Sequence, residues 1–237
     1  MFKELDYKET PMGELVLRRR SEPKLGGEVV YEVKLGDDFL MSSLFTEGEI
    51  ALARLGLSGL TEQPLDIVVG GLGLGYTAAT ALQYPMLRSM LVIETMPEVI
   101  DWHRRGLVPM GKALTEDPRC RFIQGDFFNM AGMDGAGFDP DTPGRRFHAV
   151  LLDIDHAPDH VLHPDHAGFY EPAGLRRLTR WLHTDGVFAL WSNNPPDEAF
   201  LRRLGESFAR VSAEIVQFPN PYTGEESSNT IYVARTK

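Results

Sequence analysis

The chain has 237 residues, 43% of them hydrophobic, which is enough for one large domain or for a domain with a small appendage. Its 34 acidic and 24 basic residues give a net charge of −10, and this balance argues against a nucleic-acid partner, whose phosphate backbone calls for a basic face. The single cysteine, Cys120, excludes an intrachain disulfide and a cysteine-based zinc site.

The N-terminus and the most apolar stretch both argue against a membrane protein. Residues 1–6 contain no apolar run of the kind that a signal peptide needs. Residues 65–82 are the longest fairly apolar stretch, but they carry Asp66 and are rich in glycine, which a membrane-spanning helix disfavours. We therefore expect a soluble, cytoplasmic protein with no membrane partner.

The first sixty residues predict a small β-rich unit. Runs of strand-forming residues separated by turns predict three short strands, over 13–20, 28–34 and 39–42. Residues 46–55 then predict a helix, with acidic side chains in its first turn. Because the pattern changes after Pro64, we expect an N-terminal unit over 1–60 and a second domain over 61–237.

Strands and helices alternate through the second domain. Apolar runs predict strands at 66–70, 90–94, 120–124, 147–153 and 186–192. Helices are predicted between them, at 74–84, 97–106, 170–182 and 197–209. This order indicates a doubly wound α/β fold, completed by two closing strands to a seven-stranded, mainly parallel sheet of the class I methyltransferase type, with the closing strands at 211–218 and 230–234. The loop 131–146 is rich in glycine, proline and aspartate, so we expect a mobile surface insertion there.

A glycine-rich turn is the most informative feature of the second domain. The apolar run that starts at Leu65 ends in closely spaced glycines, and a helical segment follows at once. Glycine is needed where a backbone turns tightly or lets a ligand approach, so the turn predicts a cradle for a nucleotide-like ligand, built from Gly71, Gly73 and Gly75. The next apolar run ends in Glu94, whose carboxylate can accept hydrogen bonds from both ribose hydroxyls.

Three more residues are candidates for ligand contacts. Gly125 and Asp126 follow an apolar strand and precede two phenylalanines, which favours an adenine contact with apolar walls over an ordinary turn. Tyr76 either closes over the ligand or packs on the sheet as a helix residue.

The segment from Asp153 to His166 is dense in side chains that bind metals. Its aspartates and histidines lie at spacings that suit zinc or a similar ion. Pro158 and Pro164 argue against the single helix that would align the histidines at 156, 160 and 163. We therefore favour a mobile active-site loop and expect no metal.

Four stretches of the chain resemble the spermidine synthase family of aminopropyltransferases, which belongs to the class I S-adenosylmethionine-dependent methyltransferase superfamily. The sequence VVGGLGLG at 68–75 is similar to the family's glycine motif, and IETMPEVID at 93–101 to its acidic strand end. DPR at 117–119, followed by FIQGDFF at 122–128, matches the family's adenine-contacting run. VLLD at 150–153 matches the strand that ends in the family's catalytic aspartate.

The resemblance implies transfer of an aminopropyl group from decarboxylated S-adenosylmethionine to a small-molecule amine. It further implies that Asp126 contacts the adenine amino group, and that Asp153 accepts the amine proton at the end of its strand, with Asp155 as the second candidate. Tyr76 and Tyr170 are the expected substrate-binding residues, and a homodimer is the expected assembly. The structural alternative for each of the two catalytic candidates is a cap of the next turn.

The chain departs from the family where the amine ends of the substrate would bind. Leu74 stands where the glycine motif usually has an aspartate, and Asp155-His156 interrupts the usual sequence after the catalytic aspartate. Residues 46–49 replace a Tyr-His-Glu segment. Two alternatives therefore stay open: a methyltransferase that uses S-adenosylmethionine, and a binding homologue without catalytic activity. No Lys or Arg lies between 65 and 87 to pair with a donor carboxylate, which favours the decarboxylated donor.

Overall fold

The computed structural model describes residues 2–60, 64–132 and 137–237. The N-terminal part is a four-stranded antiparallel sheet whose strands follow one another in chain order. These strands are β1 (Phe2–Thr10), β2 (Gly13–Glu22), β3 (Glu28–Leu35) and β4 (Asp38–Ser42). The sequence predicted the last three, whereas β1 is a largely exposed strand without the apolar alternation that would have marked it.

The second sheet has seven strands in the order β10-β11-β9-β8-β5-β6-β7. Its strands are β5 (Leu65–Gly70), β6 (Leu87–Glu94), β7 (Cys120–Gln124), β8 (Phe147–Leu152), β9 (Leu182–Ser192), β10 (Arg210–Pro219) and β11 (Glu226–Arg235). The five neighbouring strands β9, β8, β5, β6 and β7 are parallel to one another. The strands β10 and β11 close the sheet as an antiparallel hairpin, with β11 paired to β9. The predicted α/β fold with a small N-terminal β unit is therefore confirmed.

Seven α-helices occupy the described residues: α1 (Glu47–Leu57), α2 (Tyr76–Leu82), α3 (Pro97–Arg104), α4 (Gly111–Glu116), α5 (Phe127–Gly132), α6 (Pro172–Leu178) and α7 (Glu198–Gly205). Short 3₁₀ turns cover Pro23–Leu25, Pro164–Phe169 and Thr179–Trp181. The predicted helix over 170–182 is shorter than expected, because α6 passes into a 3₁₀ turn and β9 begins at Leu182. In the described ranges, none of the helices is long and apolar enough to cross a membrane.

Helices cover both faces of the large sheet, so its central strands β5 and β8 are buried along their whole length. Alternate residues of each strand join different cores: Val69 packs with α1 to α4, and Val68 packs with α5 to α7. Leu15 and Leu17 of the N-terminal sheet belong to the first of these cores. Helix α1 packs against α2 and the strands β8, β9 and β11. The domain boundary after residue 60 stays a prediction, and residues 61–63 lie outside the described ranges.

The loop predicted as a mobile insertion is anchored along its second half. Residues 133–136 lie outside the described ranges, but Phe138 is fully buried and stacks on Phe127 at 5.0 Å between ring centroids. Asp139 is also buried, and its carboxylate accepts hydrogen bonds from Arg121 and Arg145. The expectation of a surface insertion is therefore wrong for residues 137–139, because an aromatic anchor and an ion pair hold them in the protein.

Candidate active site

A cavity of about 1450 Å³ opens at the carboxyl ends of β5, β6 and β8. At this edge the chain order reverses, since β6 lies on one side of β5 and β8 on the other. Such a switch point is where doubly wound sheets bind ligands. The N-terminal sheet closes one side of the cavity through Phe39, Leu40 and Met41, and α1 contributes Glu49.

The glycine turn forms one wall of the cavity through Gly71, Gly73 and Gly75. All three have a left-handed backbone conformation, with φ of +94°, +48° and +91°. None of them has room for a side chain: a Cβ on Gly71 would lie 2.0 Å from the carbonyl oxygen of Asp153, and one on Gly73 or Gly75 would lie 2.7 Å from Met41 or Leu114, respectively. Glycine is therefore required here because the turn packs closely against the loop after β8 and against the neighbouring helices.

Glu94 lies at the end of β6 on the cavity wall and is only 8% exposed. One carboxylate oxygen accepts a hydrogen bond from the N–H of Leu72 at 3.1 Å, and the other accepts one from Met96 at 2.8 Å. Burial raises the pKa of this carboxyl group, and these backbone donors oppose the shift. Glu94 thus fixes the glycine turn and also faces the space beside it.

Asp126 caps α5 and lines the cavity as well. Its Oδ1 accepts hydrogen bonds from the backbone N–H groups of Phe128 at 2.9 Å and Asn129 at 3.1 Å. Gly125 does not line the cavity; its N–H donates to the carbonyl oxygen of Glu94 at 3.0 Å. Asp126 therefore forms the turn at the start of α5 and also lines the cavity. Gly125 links the end of β7 to the end of β6 through its backbone hydrogen bond.

Asp153 follows β8 and lines the cavity. Its N–H donates to the carbonyl oxygen of Gly70 at 2.8 Å, and its Oδ2 accepts a hydrogen bond from the Thr77 hydroxyl at 2.7 Å. Glu49 of α1 is the neighbouring carboxyl group on the same wall. Burial raises the pKa of both groups, and the charge of Asp153 raises that of Glu49 further.

Asp155 and Tyr170 lie inside the protein, each only 1% exposed, and neither lines the cavity. The Asp155 carboxylate accepts hydrogen bonds from the Tyr170 hydroxyl at 2.7 Å, from the N–H of Leu162 at 2.7 Å and from Nδ1 of His166 at 2.9 Å. The expectation that both would touch substrate needs correction, because β8 ends at Leu152 and strand alternation no longer governs the direction of residue 155.

Tyr76, the first residue of α2, is half-buried and lines the cavity, as does Leu74 of the glycine turn. The loop after β8 contributes four histidines, at 156, 160, 163 and 166. His156 and His160 are neighbours, with ring centroids 4.9 Å apart. Within the described ranges, no three His, Cys, Asp or Glu side chains come together as a metal-binding group.

One end of the cavity is built from residues that the sequence did not reveal. Trp191, Asn193 and Asn229 line it, and Nδ2 of Asn229 donates to Oδ1 of Asn193 at 3.3 Å. Gly48 makes room for this group, because a Cβ there would lie 2.4 Å from Nε1 of Trp191. That Nε1 is buried and has no partner among the described residues. The residues come from α1, from β9 and the residue after it, and from β11, so no local motif could have brought them together.

The described lining is strongly acidic. It contains six carboxyl groups, from Glu49, Glu94, Asp126, Asp153, Asp165 and Glu226, and Arg177 as the single Arg or Lys. Arg177 lies beside Gly132 of α5, which ends the helix that Asp126 caps. A cavity of this charge favours a cationic ligand.

Comparison with solved structures places the fold. The chain aligns with the spermidine synthase of Thermotoga maritima at a TM-score of 0.74 and 15% identity, over 99% of this chain and 73% of that one. A spermidine synthase in complex with the transition-state analogue AdoDATO aligns at a TM-score of 0.75 and 14% identity, over 99% and 74% of the two chains. A probable spermidine synthase from Corynebacterium glutamicum aligns at 0.63 and 14% identity, over 98% and 79%.

No protein-family model matches the chain, and no curated protein sequence matches it either. The similarity to these structures is therefore one of fold. The chain has the fold of the spermidine synthases, and the resemblance indicated by its motifs is confirmed at that level.

Proposed function

We propose that this protein transfers an aminopropyl group from decarboxylated S-adenosylmethionine to an amine. The observation that carries the proposal is the pair of carboxyl groups from Asp153 and Glu49 beside the glycine turn, in a cavity whose described lining is strongly acidic. The donor is a sulfonium with a free ammonium group, and the acceptor is an amine, so both reactants suit this charge.

The donor's nucleoside would bind along the glycine turn. Glu94 is proposed to accept hydrogen bonds from the ribose hydroxyls, and Asp126 from the adenine amino group. Gly71, Gly73 and Gly75 let the ligand approach the backbone, since none of them carries a side chain into the cavity. Tyr76 stands at the start of α2 on the same wall.

In the proposed reaction the neutral amine nitrogen attacks the methylene carbon bound to sulfur. A carbon–nitrogen bond forms, the carbon–sulfur bond breaks, and 5′-methylthioadenosine leaves with the electron pair on sulfur. The nitrogen becomes positively charged and gives its proton to Asp153, held in place by Thr77. Glu49 adds a second carboxyl group at the same wall, which stabilises the developing positive charge.

The proposed function and its rival, a methyltransferase, differ in whether the donor carries a carboxylate. S-adenosylmethionine carries a carboxylate that needs a cationic or backbone partner, and Arg177 of the described lining lies at the α5 end of the cavity, beside Gly132. An ionised carboxyl group at the wall of Glu49 and Asp153 would repel that carboxylate. This distribution of charge favours the decarboxylated donor.

The test is to incubate the protein with each donor and a panel of diamines and polyamines, and to identify products by mass spectrometry. The proposal predicts that the decarboxylated donor is consumed, that 5′-methylthioadenosine appears and that the amine gains an aminopropyl group. Methylated products formed from S-adenosylmethionine would establish the rival function. Binding of nucleoside without turnover on any amine would establish a homologue without catalytic activity.

Asp153→Asn is the variant that tests the proton acceptor. It keeps the size of the side chain and an oxygen for the Thr77 hydroxyl, so the fold and nucleoside affinity should persist. We expect turnover to fall by roughly 10²–10⁴-fold, the usual effect of losing a general base. The matched control is Asp159→Asn, a change in an exposed aspartate of the same loop, outside the cavity lining. Full turnover in the Asp153 variant would contradict the assignment.

A further inference from the structure

His166 is held in one orientation by a buried carboxylate. The Asp155 side chain has no access to solvent, whereas that of His166 is 14% exposed, and Nδ1 lies 2.9 Å from Oδ1 of Asp155. Two further donors, the Tyr170 hydroxyl and the N–H of Leu162, reach the same carboxylate. Three donors on one buried group keep Asp155 and the ring beside it fixed.

This arrangement sets the tautomer of the imidazole. An ionised carboxylate only accepts hydrogen bonds, so Nδ1 of His166 is the donor to Asp155, and Nε2 is the ring nitrogen that faces away from it. In the neutral imidazole of this tautomer, Nε2 carries the lone pair. His166 lines the cavity, and Nε2 has no hydrogen-bond partner in the part of the chain that the structure describes. The ring therefore offers a ligand one oriented acceptor.

The imidazole ring packs on a residue that is also bonded to Asp126. The His166 ring stacks face to face on Phe128, with centroids 3.9 Å apart and an angle of 22° between the planes. The backbone N–H of Phe128 donates to Oδ1 of Asp126 at 2.9 Å. His166, Phe128 and Asp126 all line the cavity, so they form one continuous patch at the α5 end.

We infer that His166 reads the nucleobase of the donor, accepting a hydrogen bond from the exocyclic amine of an adenine through Nε2. Asp155 is the positioning residue that fixes the ring, and Phe128 supports its face. The inference rests on the proposed adenosyl site and adds a residue that discriminates between bases. A 6-oxo purine places a carbonyl oxygen where the amine would be, so two acceptors would face each other and binding would weaken.

The experiment compares 5′-methylthioadenosine with 5′-methylthioinosine by isothermal titration calorimetry. Wild-type protein should bind the adenine nucleoside about tenfold tighter or more. His166→Phe keeps an aromatic ring on Phe128 and removes both nitrogens, so the preference should fall by about threefold or more, and Asp126 accounts for what remains. His183→Phe is the control, since His183 is half-buried, packs on another histidine ring and lies outside the cavity lining.

Variants of Asp155 test the positioning role. Asp155→Ala should reduce the preference although residue 155 has no access to the cavity. Asp155→Asn keeps an oxygen for the Nδ1–H and should restore most of the preference, which a purely structural loss would not do. If Asp155→Ala does not fold, His166→Phe still decides the matter.

Equal binding of the two nucleosides by wild-type protein, or an unchanged preference in His166→Phe, would overturn base recognition and leave the adenosyl site standing. Loss of turnover in His166→Phe with an unchanged preference would also contradict it, because His166 would then act on the reaction. If wild-type protein binds neither nucleoside, the proposed function falls and the inference falls with it.

Discussion

Glu49 and Asp153 bring two carboxyl groups, one from α1 and one from the end of β8, to the wall of one cavity. Enclosing both without a cationic side chain among the described neighbours costs stability whenever they ionise. A ligand cation would offset that cost, because it would face both charges at once. At the scale of single residues, this pair of carboxyl groups therefore lowers the stability of the fold when it ionises, and the proposed cationic ligand would restore it.

Comparing Glu49→Gln with wild type should show that the ionisation of Glu49 makes the free energy of unfolding depend on pH. The folded protein holds the Glu49 proton to a higher pH than the unfolded chain, so stability falls as pH rises from the ordinary carboxyl pKa through the raised one. Glutamine removes the ionisation. We expect the free energy of unfolding at about pH 9 to rise by about 1–3 kcal/mol relative to wild type, with little change near pH 4.

Thermal melts of both proteins across this range would check the prediction. The matched control is Glu47→Gln, two residues earlier on the exposed first turn of α1; Glu47 is the weakest of the influences that raise the pKa of Glu49, so this change should give a much smaller gain. An equal gain for Glu49→Gln at both pH values would show that the effect is not ionisation.

Site residues that lie within a recognisable local motif could be predicted from the sequence. Gly71, Gly73, Gly75 and Glu94 sit at the ends of recognisable strands, and the structure brings all four to the cavity wall. Glu49 was placed in the charged first turn of a helix and in the segment that replaces the family's Tyr-His-Glu, but it was not named as a site residue, since nothing in the sequence shows which strand end that helix covers. Trp191 and Asn229 were not predicted as site residues for the same reason.

At the scale of elements, the contact between the glycine turn and the loop after β8 holds the site together. The carbonyl oxygen of Asp153 lies where a Cβ of Gly71 would be, and the N–H of Asp153 reaches back to Gly70. The two strand ends that carry the proposed nucleoside cradle and the proposed proton acceptor are therefore packed together as one unit. Asp155 was misplaced by extending strand alternation past Leu152, where the chain already turns.

Gly71→Ala should disrupt this unit, because the added methyl group meets backbone and the left-handed φ is unfavourable for alanine. We expect a loss of about 3 kcal/mol or more in the free energy of unfolding, together with loss of nucleoside binding. Gly106→Ala is the control: Gly106 also has a positive φ, +64°, but a Cβ there meets nothing within 4 Å. It should cost only about 1 kcal/mol.

Denaturant unfolding and calorimetry on the two variants would separate backbone strain from the steric clash. If Gly71→Ala costs no more than Gly106→Ala and still binds nucleoside, the turn and the loop after β8 are not the packed unit described above.

At the scale of the whole molecule, the N-terminal sheet and the β10–β11 hairpin meet beside the cavity. The Tyr222 hydroxyl, at the hairpin tip, donates to Glu22 of β2 at 2.7 Å and accepts a hydrogen bond from Arg20 at 2.5 Å. Phe45 packs against Phe218 of β10, with centroids 5.7 Å apart. The sequence predicted both elements. It did not predict the contact between them, because the contacting residues lie some two hundred positions apart and no local motif connects them.

Tyr222→Phe should loosen this contact without unfolding the protein, since the ring still packs on Phe45. We expect faster amide hydrogen exchange in the hairpin tip, over 219–226, and in the facing part of β2, while β5 and β8 stay protected. Tyr84→Phe provides the comparison, because Tyr84 is half-buried and lies outside the cavity lining, in the turn after α2. Unchanged exchange at the hairpin tip would show that the hydroxyl is not what holds it.

The most direct measurement of the central claim is a calorimetric titration of wild-type protein and Glu94→Ala with 5′-methylthioadenosine, the product of the proposed reaction. Glu94 lines the cavity and holds the glycine turn through Leu72, so its loss should weaken binding by about 1–3 kcal/mol while the fold persists by circular dichroism. Saturable one-to-one binding by wild type and this weakening in the variant are the predicted results. Absence of binding by wild-type protein, or equal affinity in the two, would contradict the account.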